Sequence, residues 1–504
     1  MRLLFFNPIP NLGLSLGAFR SFYAPMPPLW IGYLGAIAKR YTNDILAIDN
    51  SIERLDLQSV FSRIKEYSPD IFCISVLTQT ASFAYKLARA VKENIGSFVI
   101  MGGPHASYFA QEIISRKIAD AVVIGEGEET FAEILENFDD IRRGNFRNID
   151  GAVFFSGEEV KRRQRIRDLN SIPFPAWELL EKYFRYYKPP APIKPGSVLT
   201  FLASRGCPYS CNFCMVQLGR KYTIRSPENI CDEIEHFCDK YGTEHFLFCD
   251  PLFPPSKNKG LEILRYINKR GIQKITTWSI EARVDIIDYE LAVALRESGC
   301  NLVALGIEGG DDLILKNVNK GIKTEQVIYA VRALKKAGIR TMGLYMLGTP
   351  GENEDLTIKT IKFARSLKTH GAKFAITVPY PGTELYEKYI KDKYSFSDDH
   401  WEFFSPYTDS PPYRMIWTSV SPKKLVKFQK MAYILSNISI RNIAIYLIER
   451  PSEVFGTLVH LLFGFFLKVL TKFRVSLRFF KHPNKFIVFK DYGAKNRYLR
   501  QDSI

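Results

Sequence analysis

The chain has 504 residues, about three domains' length, and its 46% hydrophobic and 24% charged residues exclude a disordered, a collagen-like and a fully membrane-embedded protein. Its 8 cysteines are too few for a disulfide-built secreted scaffold, so we expect a cytoplasmic protein whose thiols are available to bind metal. The net charge of +16 lies mostly in residues 421–504, which hold 16 Lys and Arg against 4 Asp and Glu, so the preceding body is nearly neutral.

Residues 1–140 alternate short apolar runs with amphipathic helical patterns, and residues 1–7 read as a strand rather than a signal peptide. Strands separated by helices imply right-handed crossovers and a doubly wound parallel sheet. Ligands of such sheets bind beyond the carboxyl ends of the strands, where this chain has Ser75, Leu77, Gly102 and Gly103. Glycines there let a backbone approach a ligand, but simple turn chemistry is an equal alternative. The predicted strands are 3–6, 45–48, 71–75, 98–101 and 121–124.

A proline-interrupted linker is predicted at 141–195, and a second series of strands follows it. Six βα units fall short of the eight that close a full barrel, so a partial (β/α)6 barrel is the economical interpretation. We expect this barrel to occupy 196–400 and a basic, mainly helical C-terminal region to occupy 401–504. The predicted barrel strands are 198–204, 245–249, 276–280, 302–306, 341–347 and 373–378.

Three cysteines follow the first barrel strand in a CxxxCxxC array, namely Cys207, Cys211 and Cys214. Three thiolates on one loop can hold three irons of a [4Fe–4S] cluster and leave the fourth iron open for another ligand. A zinc site would normally be closed by four ligands, and no fourth Cys or His lies at zinc spacing nearby. The array therefore predicts a cluster with one open corner. The other cysteines are expected to be buried small hydrophobes: Cys73, Cys231, Cys238, Cys249 and Cys300.

The array, with Phe213 before its last cysteine, resembles the radical S-adenosylmethionine (SAM) enzymes, as do segments 248–253, 278–283, 305–310, 348–352 and 379–386. In that superfamily the open iron chelates SAM, and one electron from the cluster cleaves SAM to a 5′-deoxyadenosyl radical. The resemblance implies that Glu308 and Arg283 contact the SAM ribose or carboxylate and that Asp250 lies near its amino group. Their alternative roles are an ordinary strand-end carboxylate or salt-bridge arginine.

An α/β domain before such a barrel resembles the cobalamin-binding domain of the B12-dependent radical SAM subfamily, which includes hopanoid methylases and the anaerobic magnesium-protoporphyrin ester cyclase. Ser75-x-Leu77 and Gly102-Gly103 stand where that fold has the SxL and GG elements that line the nucleotide tail. Residues 7–13 occupy the turn of the usual DxHxxG loop and contain no histidine. The resemblance implies either cobalamin bound without a histidine ligand or a domain that kept the fold and lost the corrin.

The tail 421–504 combines its cations with large apolar side chains. Its uncharged run 454–467 has 14 residues, below the ~18–20 that a spanning helix needs. An interfacial helix at the inner face of the membrane is the expectation, and a helical subdomain packed on the barrel is the alternative. Nucleic-acid binding is not expected, because the aromatic side chains form one apolar band instead of interleaving with cations.

The leading hypothesis is a radical SAM enzyme that modifies a lipid-like or tetrapyrrole-like substrate by cobalamin-dependent C-methylation, with flavodoxin or ferredoxin as electron donor. Within the same chemistry, the alternative is radical cyclisation, oxidation or C–C coupling without methyl transfer. A hypothesis of a different class is a corrin-binding sensor whose cluster is structural.

Overall fold

A computed structural model describes residues 1–13, 24–145, 148–157, 159–215 and 219–450. Two compact units divide the chain, Met1–Asn442 and Ile443–Ile504. The first unit contains two six-stranded sheets, which follow one another along the chain.

The N-terminal sheet has the spatial order β2-β1-β3-β4-β5-β6. The first five strands are parallel, and β6 runs antiparallel to β5. The strand order reverses between β1 and β3, because β2 lies outside β1 on one side and β4 and β5 lie outside β3 on the other. This is the arrangement of a doubly wound sheet, and ligands of such sheets bind at the point of reversal. The predicted α/β fold is confirmed. The strands are β1 (Leu3–Asn7), β2 (Ile45–Asp49), β3 (Ile71–Ser75), β4 (Phe98–Gly102), β5 (Ala121–Val123) and β6 (Ala152–Val153).

Helices cover both faces of this sheet, so its strands are apolar almost throughout, and Phe5 and Phe72 are fully buried. Residues of the predicted linker add a 3₁₀ helix, Trp177–Tyr186, whose Trp177 side chain is also fully buried. The helices are α1 (Leu29–Ala38), α2 (Asn50–Glu53), α3 (Leu57–Tyr67), α4 (Ala81–Ile95), α5 (Pro104–Tyr108), α6 (Ala110–Ser115), α7 (Glu128–Glu136) and α8 (Phe138–Arg142), with shorter 3₁₀ turns at Thr78–Thr80 and Leu169–Ser171.

The second sheet is a partial barrel of six parallel strands in the order β14-β13-β12-β11-β10-β7. The predicted (β/α)6 barrel is confirmed. Its first predicted strand is interrupted, because β8 leaves the barrel and pairs antiparallel with β9. The strands are β7 (Val198–Phe201), β8 (Ser204–Arg205), β9 (Thr223–Ile224), β10 (His245–Phe248), β11 (Thr277–Ala282), β12 (Cys300–Glu308), β13 (Arg340–Leu347) and β14 (Gly371–Ile376).

Helices on the outer face of the barrel follow local sequence signals. For α9, Ser226 caps the first turn by accepting from the backbone N–H of Asn229 (3.2 Å), Pro227 opens the helix, and left-handed Gly242 ends it. The barrel helices are α9 (Pro227–Tyr241), α10 (Lys257–Arg270), α11 (Tyr289–Glu297), α12 (Asp312–Asn317), α13 (Thr324–Lys336), α14 (Glu354–Leu367) and α15 (Glu384–Tyr389), with 3₁₀ turns at Ile272–Lys274, Val284–Ile286 and Asp398–Phe403.

Two further helices follow the barrel, α16 (Pro422–Asn437) and α17 (Ile440–Glu449). The Gln429 amide donates to the carbonyl of Phe374 (2.7 Å), and the Asn437 amide pairs with both backbone groups of Ala372 (2.8 and 3.0 Å). Helix α16 therefore covers β14, which would otherwise be an unpaired sheet edge.

Across the described ranges no single helix is long and apolar enough to cross a membrane; α16 and α17 meet the length and composition test only together, with a 74° bend between them. The predicted interfacial helix at 454–467 lies outside the described residues.

Candidate functional site

The three predicted cluster cysteines lie on one loop between β8 and β9, beyond the carboxyl end of β7. Cys211 is buried, Cys207 is half-buried and Cys214 is exposed. Gly206 opens the loop with φ of +83°, and a side chain there would collide with the carbonyl oxygen of Lys221. Only glycine therefore lets the chain turn back this closely before the first cysteine.

Asparagine side chains fix this loop against the segment that follows α12. Asn212 donates its amide to the carbonyl of Asn317 (2.7 Å) and its backbone N–H to the carbonyl of Val318 (3.2 Å). Asn319, which adopts φ of +53°, donates to both the carbonyl and the hydroxyl of Ser210 (2.7 and 3.0 Å). The position of the thiols is thus set by the barrel rather than by the loop alone.

The electrostatic environment of the thiols suits a metal cluster. Burial raises the pKa of Cys211, and the cations Lys320 and Arg283 oppose that rise. Desolvation by the loop, followed by the like charge of Cys211 and Cys207, raises the pKa of Cys214 to about 11. Both shifts favour the protonated thiol at Cys211 and Cys214, and a bound iron, which prefers thiolate, would displace those protons.

Three thiols on one loop fit a cubane better than a single ion. In the part of the chain that the structure describes, no group of three or more His, Cys, Asp or Glu side chains is placed so that it could hold a single metal ion. In a cubane each thiolate binds its own iron, so the three sulfur atoms need not converge. The donor set therefore fits a [4Fe–4S] cluster.

A buried set of charges lies beside the cysteine loop. The Lys320 ammonium donates to the Glu308 carboxylate (2.8 Å), and Glu308 adopts φ of +65° at the end of β12. Arg283 donates to the carbonyl of Lys320 (2.9 Å) and to Asp285 (2.9 Å), and its guanidinium lies 3.5 Å from the ring centre of Tyr209 in the cysteine loop. The structure brings the predicted Arg283 and Glu308 together here, along with Lys320, which the sequence patterns did not single out.

Asp250 lies apart from these charges. It is buried, and its two carboxyl oxygens contact the Ser204 hydroxyl (2.5 Å) and the backbone N–H of Ala203 (3.2 Å). Burial raises its pKa to about 7, against the hydrogen bonds from Ser204 and Ala203. Asp250 therefore ties β10 to the start of the cysteine loop.

Polar residues also line the interior of the barrel. Cys249, Glu281 and Lys373 are exposed, whereas the residues directly before and after each of them in the sequence are buried. The expectation that Cys249 is a buried hydrophobe was wrong, because this residue directly follows β10 and is exposed on the inner side of the barrel, and Cys238 is only half-buried. The interior floor is apolar and consists of Ile193, Leu302, Ala304 and Met342.

In the N-terminal domain, the predicted SxL and GG residues meet at the carboxyl ends of β3 and β4. Ser75 is in register with Gly102, and a side chain on Gly103, at φ of +91°, would lie 2.8 Å from the Ser75 hydroxyl. A side chain on Gly102 would meet nothing closer than 3.9 Å, and Leu77 is 54% exposed. These residues form an open, partly apolar cradle next to the point where the strand order reverses.

Residues that follow the cradle residues in sequence and the residue next to Cys214 both approach the segment after β14. A methyl group built on Gly382 would lie 3.2 Å from Met215, next to Cys214, and 3.4 Å from the ring of Tyr108 in α5. Gln79, two residues after Leu77, donates to the Tyr380 hydroxyl (3.2 Å).

A buried ion-pair network also joins the two domains. Arg205, directly before Gly206, donates to Glu128 (2.5 Å) and to Glu126 (3.2 Å) of the N-terminal domain. Its side chain is 5% exposed, and those of the two glutamates are 9% and 7% exposed. Burial lowers the pKa of Arg205, but Glu128 and Glu126 outweigh it and raise the pKa overall.

Comparison with known proteins gives two family matches. Residues 201–364 match the radical SAM superfamily, and residues 16–135 match the B12 binding domain. The first match spans the cysteine loop and strands β10 to β13, and the second spans the cradle.

Two curated relatives and one solved structure extend these matches. An uncharacterized methyltransferase from Pyrococcus horikoshii is 34% identical over 371 residues, which cover 72% of this chain and 78% of the relative. The anaerobic magnesium-protoporphyrin IX monomethyl ester cyclase of Cereibacter sphaeroides is 26% identical, over 81% of this chain and 66% of the relative. The radical SAM methyltransferase TsrM from Kitasatospora setae, solved with cobalamin and a [4Fe–4S] cluster, shares the fold with a TM-score of 0.60 and 18% identity, over 76% of this chain and 77% of TsrM.

Proposed function

The chain belongs to the radical SAM superfamily and carries a B12-binding domain before its barrel, and from this premise we propose that it methylates a carbon atom of a hydrophobic, lipid-like or tetrapyrrole-like substrate. It is an enzyme that uses a [4Fe–4S] cluster, SAM and cobalamin. The cluster with SAM supplies a radical, and cobalamin supplies a carrier for the methyl group. A flavodoxin or ferredoxin is the proposed electron donor.

Cys207, Cys211 and Cys214 are the proposed cluster ligands. The neighbouring cations Arg283 and Lys320 offset the negative charge that three thiolates bring to the site. Arg283 also has a geometry that suits a carboxylate, because its planar guanidinium is held by Tyr209 and by backbone and carboxylate acceptors.

We assign Glu308 to the SAM ribose, since it ends β12 beside the cysteine loop with one oxygen already held by Lys320. Asp250 is the proposed neighbour of the SAM amino group. The buried contacts of its carboxyl group with Ala203 and Ser204 favour an indirect role, in which it orients the backbone before the cluster.

Ser75, Leu77, Gly102 and Gly103 are the proposed contacts of the cobalamin tail. The open space at Gly102 and the exposed Leu77 support this assignment, because a solvent-exposed leucine on a strand end becomes buried when a large ligand covers it. The turn at 7–13 offers no histidine, so the lower face of the corrin would have no imidazole ligand from that turn.

One observation carries the proposal: Gln79 and Tyr108, which follow the cradle residues in sequence, and Met215, next to Cys214, all approach the segment 380–382. A methyl carrier and a radical generator act on one substrate carbon only if they share a space. A sensor with a structural cluster would not need this arrangement.

The mass of the product tests the reaction type. Anaerobic incubation of the reconstituted enzyme with SAM, hydroxocobalamin, a reductant and candidate lipids or tetrapyrroles should add one CH₂ to the substrate. Loss of two hydrogens would instead assign the chain to radical cyclisation or desaturation without methyl transfer.

We further propose that the C-terminal helices contact a membrane surface, which would suit a hydrophobic substrate. Three isoleucines at the end of α16 and the start of α17 are exposed by 56%, 62% and 90%: Ile434, Ile438 and Ile440. Residues 421–504 add a strongly basic charge, which favours anionic headgroups.

Substitution tests this better than truncation, because deletion of residues 421–504 would uncover β14. Changing Ile434, Ile438 and Ile440 to Ser should weaken co-sedimentation with phosphatidylglycerol vesicles about tenfold or more. The control changes exposed isoleucines elsewhere, Ile275 and Ile416, to Ser. Equal binding of both variants would exclude this surface as the membrane contact.

A further inference from the structure

We propose that Lys373 and Glu281 form a substrate-binding pair inside the barrel, which takes an apolar substrate with a carboxylate or phosphate group for Lys373 and a hydrogen-bond donor for Glu281. The inference rests on the proposed function and deepens it, because it names chemical groups that the substrate carries.

The strand register places Glu281 on the inner face. Glu281 pairs with Ala304 on β12, and Ala304 pairs with Met342 on β13. Register partners in a parallel sheet point to the same face. Ala304 and Met342 belong to the apolar floor, which is separate from the main core, whereas Ile280 and Ala282 are buried in that core. The Glu281 carboxylate therefore points into the barrel.

The same argument places Lys373 inside. Lys373 pairs with Leu344 on β13, and Leu344 packs against the apolar floor. The residues before and after it, Ala372 and Phe374, are buried in the main core. Lys373 therefore lies on β14 with its side chain on the same face as the apolar floor. Strands β12 and β13 lie between β14 and β11, so the backbones at Lys373 and Glu281 are about 14 Å apart across the curved sheet.

The two charges influence each other without contact. Enclosure by the barrel raises the pKa of Glu281; the positive charge of Lys373 opposes that rise, while Glu308 adds to it and Lys320 opposes it. Within the described ranges, neither side chain forms an ion pair or a side-chain hydrogen bond, whereas the nearby Lys320 and Glu308 satisfy each other at 2.8 Å.

A substrate that lies between the two side chains would give an acceptor to Lys373 and a donor to Glu281. Both side chains are accessible from the barrel interior, and charged side chains inside a barrel lose part of their hydration when a ligand covers them, so they favour a ligand that pairs with them. The wall between the two is apolar and includes Leu344 and Met342. The space therefore fits a molecule with an apolar body, an acidic group at one end and a donor at the other.

Ligand-observed NMR on the full-length, cluster-loaded protein tests the pair without turnover. The probes are hexanoate, hexyl phosphate, 6-hydroxyhexanoate and the neutral hexanol. Because a charge-assisted hydrogen bond contributes about 1.5–3 kcal/mol, hexanoate or hexyl phosphate should bind about 10- to 100-fold more tightly than hexanol. The tighter of the two acids identifies the acidic group.

Variants locate the binding. Lys373→Met should reduce the binding of the acid to that of hexanol, and Lys373→Arg should keep it. Lys391→Met is the control, because Lys391 is an exposed lysine paired with Glu387. The hydroxyl of 6-hydroxyhexanoate should add affinity in the wild type and add none in Glu281→Leu.

Equal binding of hexanol and the acids, or unchanged acid binding in Lys373→Met, would overturn the pair. Both results are independent of the proposed function. Substrate methylation without Lys373-dependent binding refutes only the pair, and Lys373-dependent binding without SAM cleavage refutes only the proposed function.

Discussion

Replacing Arg205 by Met should destabilise the contact between the two domains. The guanidinium pairs with Glu128 (2.5 Å) and Glu126 (3.2 Å), and all three side chains are at least nine-tenths buried. Methionine fills much of the same volume but leaves the buried Glu128 carboxylate without its cation, and it leaves Glu126 with only the longer contact to Arg165 (3.8 Å). Breaking a buried pair in this way costs about 3–5 kcal/mol.

The assay is urea denaturation followed by the near-ultraviolet circular dichroism of the tryptophans, together with iron content after reconstitution. Arg205 directly precedes Gly206 and Cys207, so Arg205→Met should also lower the iron bound per chain. Arg116→Met is the matched control, because the Arg116–Asp398 bridge also joins distant segments, but the Arg116 side chain is 35% exposed. Its loss should cost less than about 1 kcal/mol.

Adding Glu126→Gln and Glu128→Gln to Arg205→Met should restore more than half of the lost stability, because the two carboxylates that lost Arg205 are then neutral. The reasoning would be refuted if Arg205→Met unfolds at the wild-type urea concentration. It would equally be refuted if Arg116→Met is as damaging, or if the triple variant recovers nothing.

Two further predictions concern single residues. Gly103→Ala should lower the free energy of unfolding by about 1–3 kcal/mol and reduce corrin binding, because the added Cβ would lie within 2.9 Å of Ser75 and Val76 at φ of +91°. The control Gly102→Ala should keep wild-type stability. A thermal melt together with a hydroxocobalamin titration checks both variants. The pKa of Asp250 is raised to about 7, so the folded state favours the protonated carboxyl group. The stability that this protonation adds is complete below the unfolded pKa near ~3.9 and is lost as the pH rises through about 7. Asp250→Asn should therefore remove about 3 kcal/mol of pH dependence between pH 5 and pH 8, and a variant whose unfolding free energy keeps the wild-type dependence on pH would contradict the assignment.

The sequence predicts those features that depend on local signals. The run 71–75 is predicted and observed as β3 (Ile71–Ser75), and the spacing of Cys207, Cys211 and Cys214 indicates the cluster without any knowledge of the fold. The first barrel strand was predicted to be continuous over 198–204, but it ends at Phe201 because Ser204 and Arg205 pair with β9 instead. The predicted domain bounds 1–140, 141–195, 196–400 and 401–504 stay predictions.

The features that sequence could not predict depend on long-range packing. The Arg205–Glu128 pair joins residues 77 positions apart, and only docking of the two domains brings them together. Glu281 and Lys373 are single charged residues between buried neighbours on parallel strands, and the sequence alone does not distinguish the inner face of a barrel from a solvent-facing surface. The same ambiguity made Cys249 look like a core residue.

The central claim is that this cysteine loop drives reductive cleavage of SAM. The most direct measurement is anaerobic reconstitution with iron and sulfide, followed by SAM and dithionite, with chromatography of the nucleosides and of methionine. We predict 5′-deoxyadenosine and methionine from the wild type, and neither from the variant with Cys207, Cys211 and Cys214 all changed to Ala. A wild-type protein that retains an intact cluster but yields neither product would contradict the account and favour a sensor with a structural cluster.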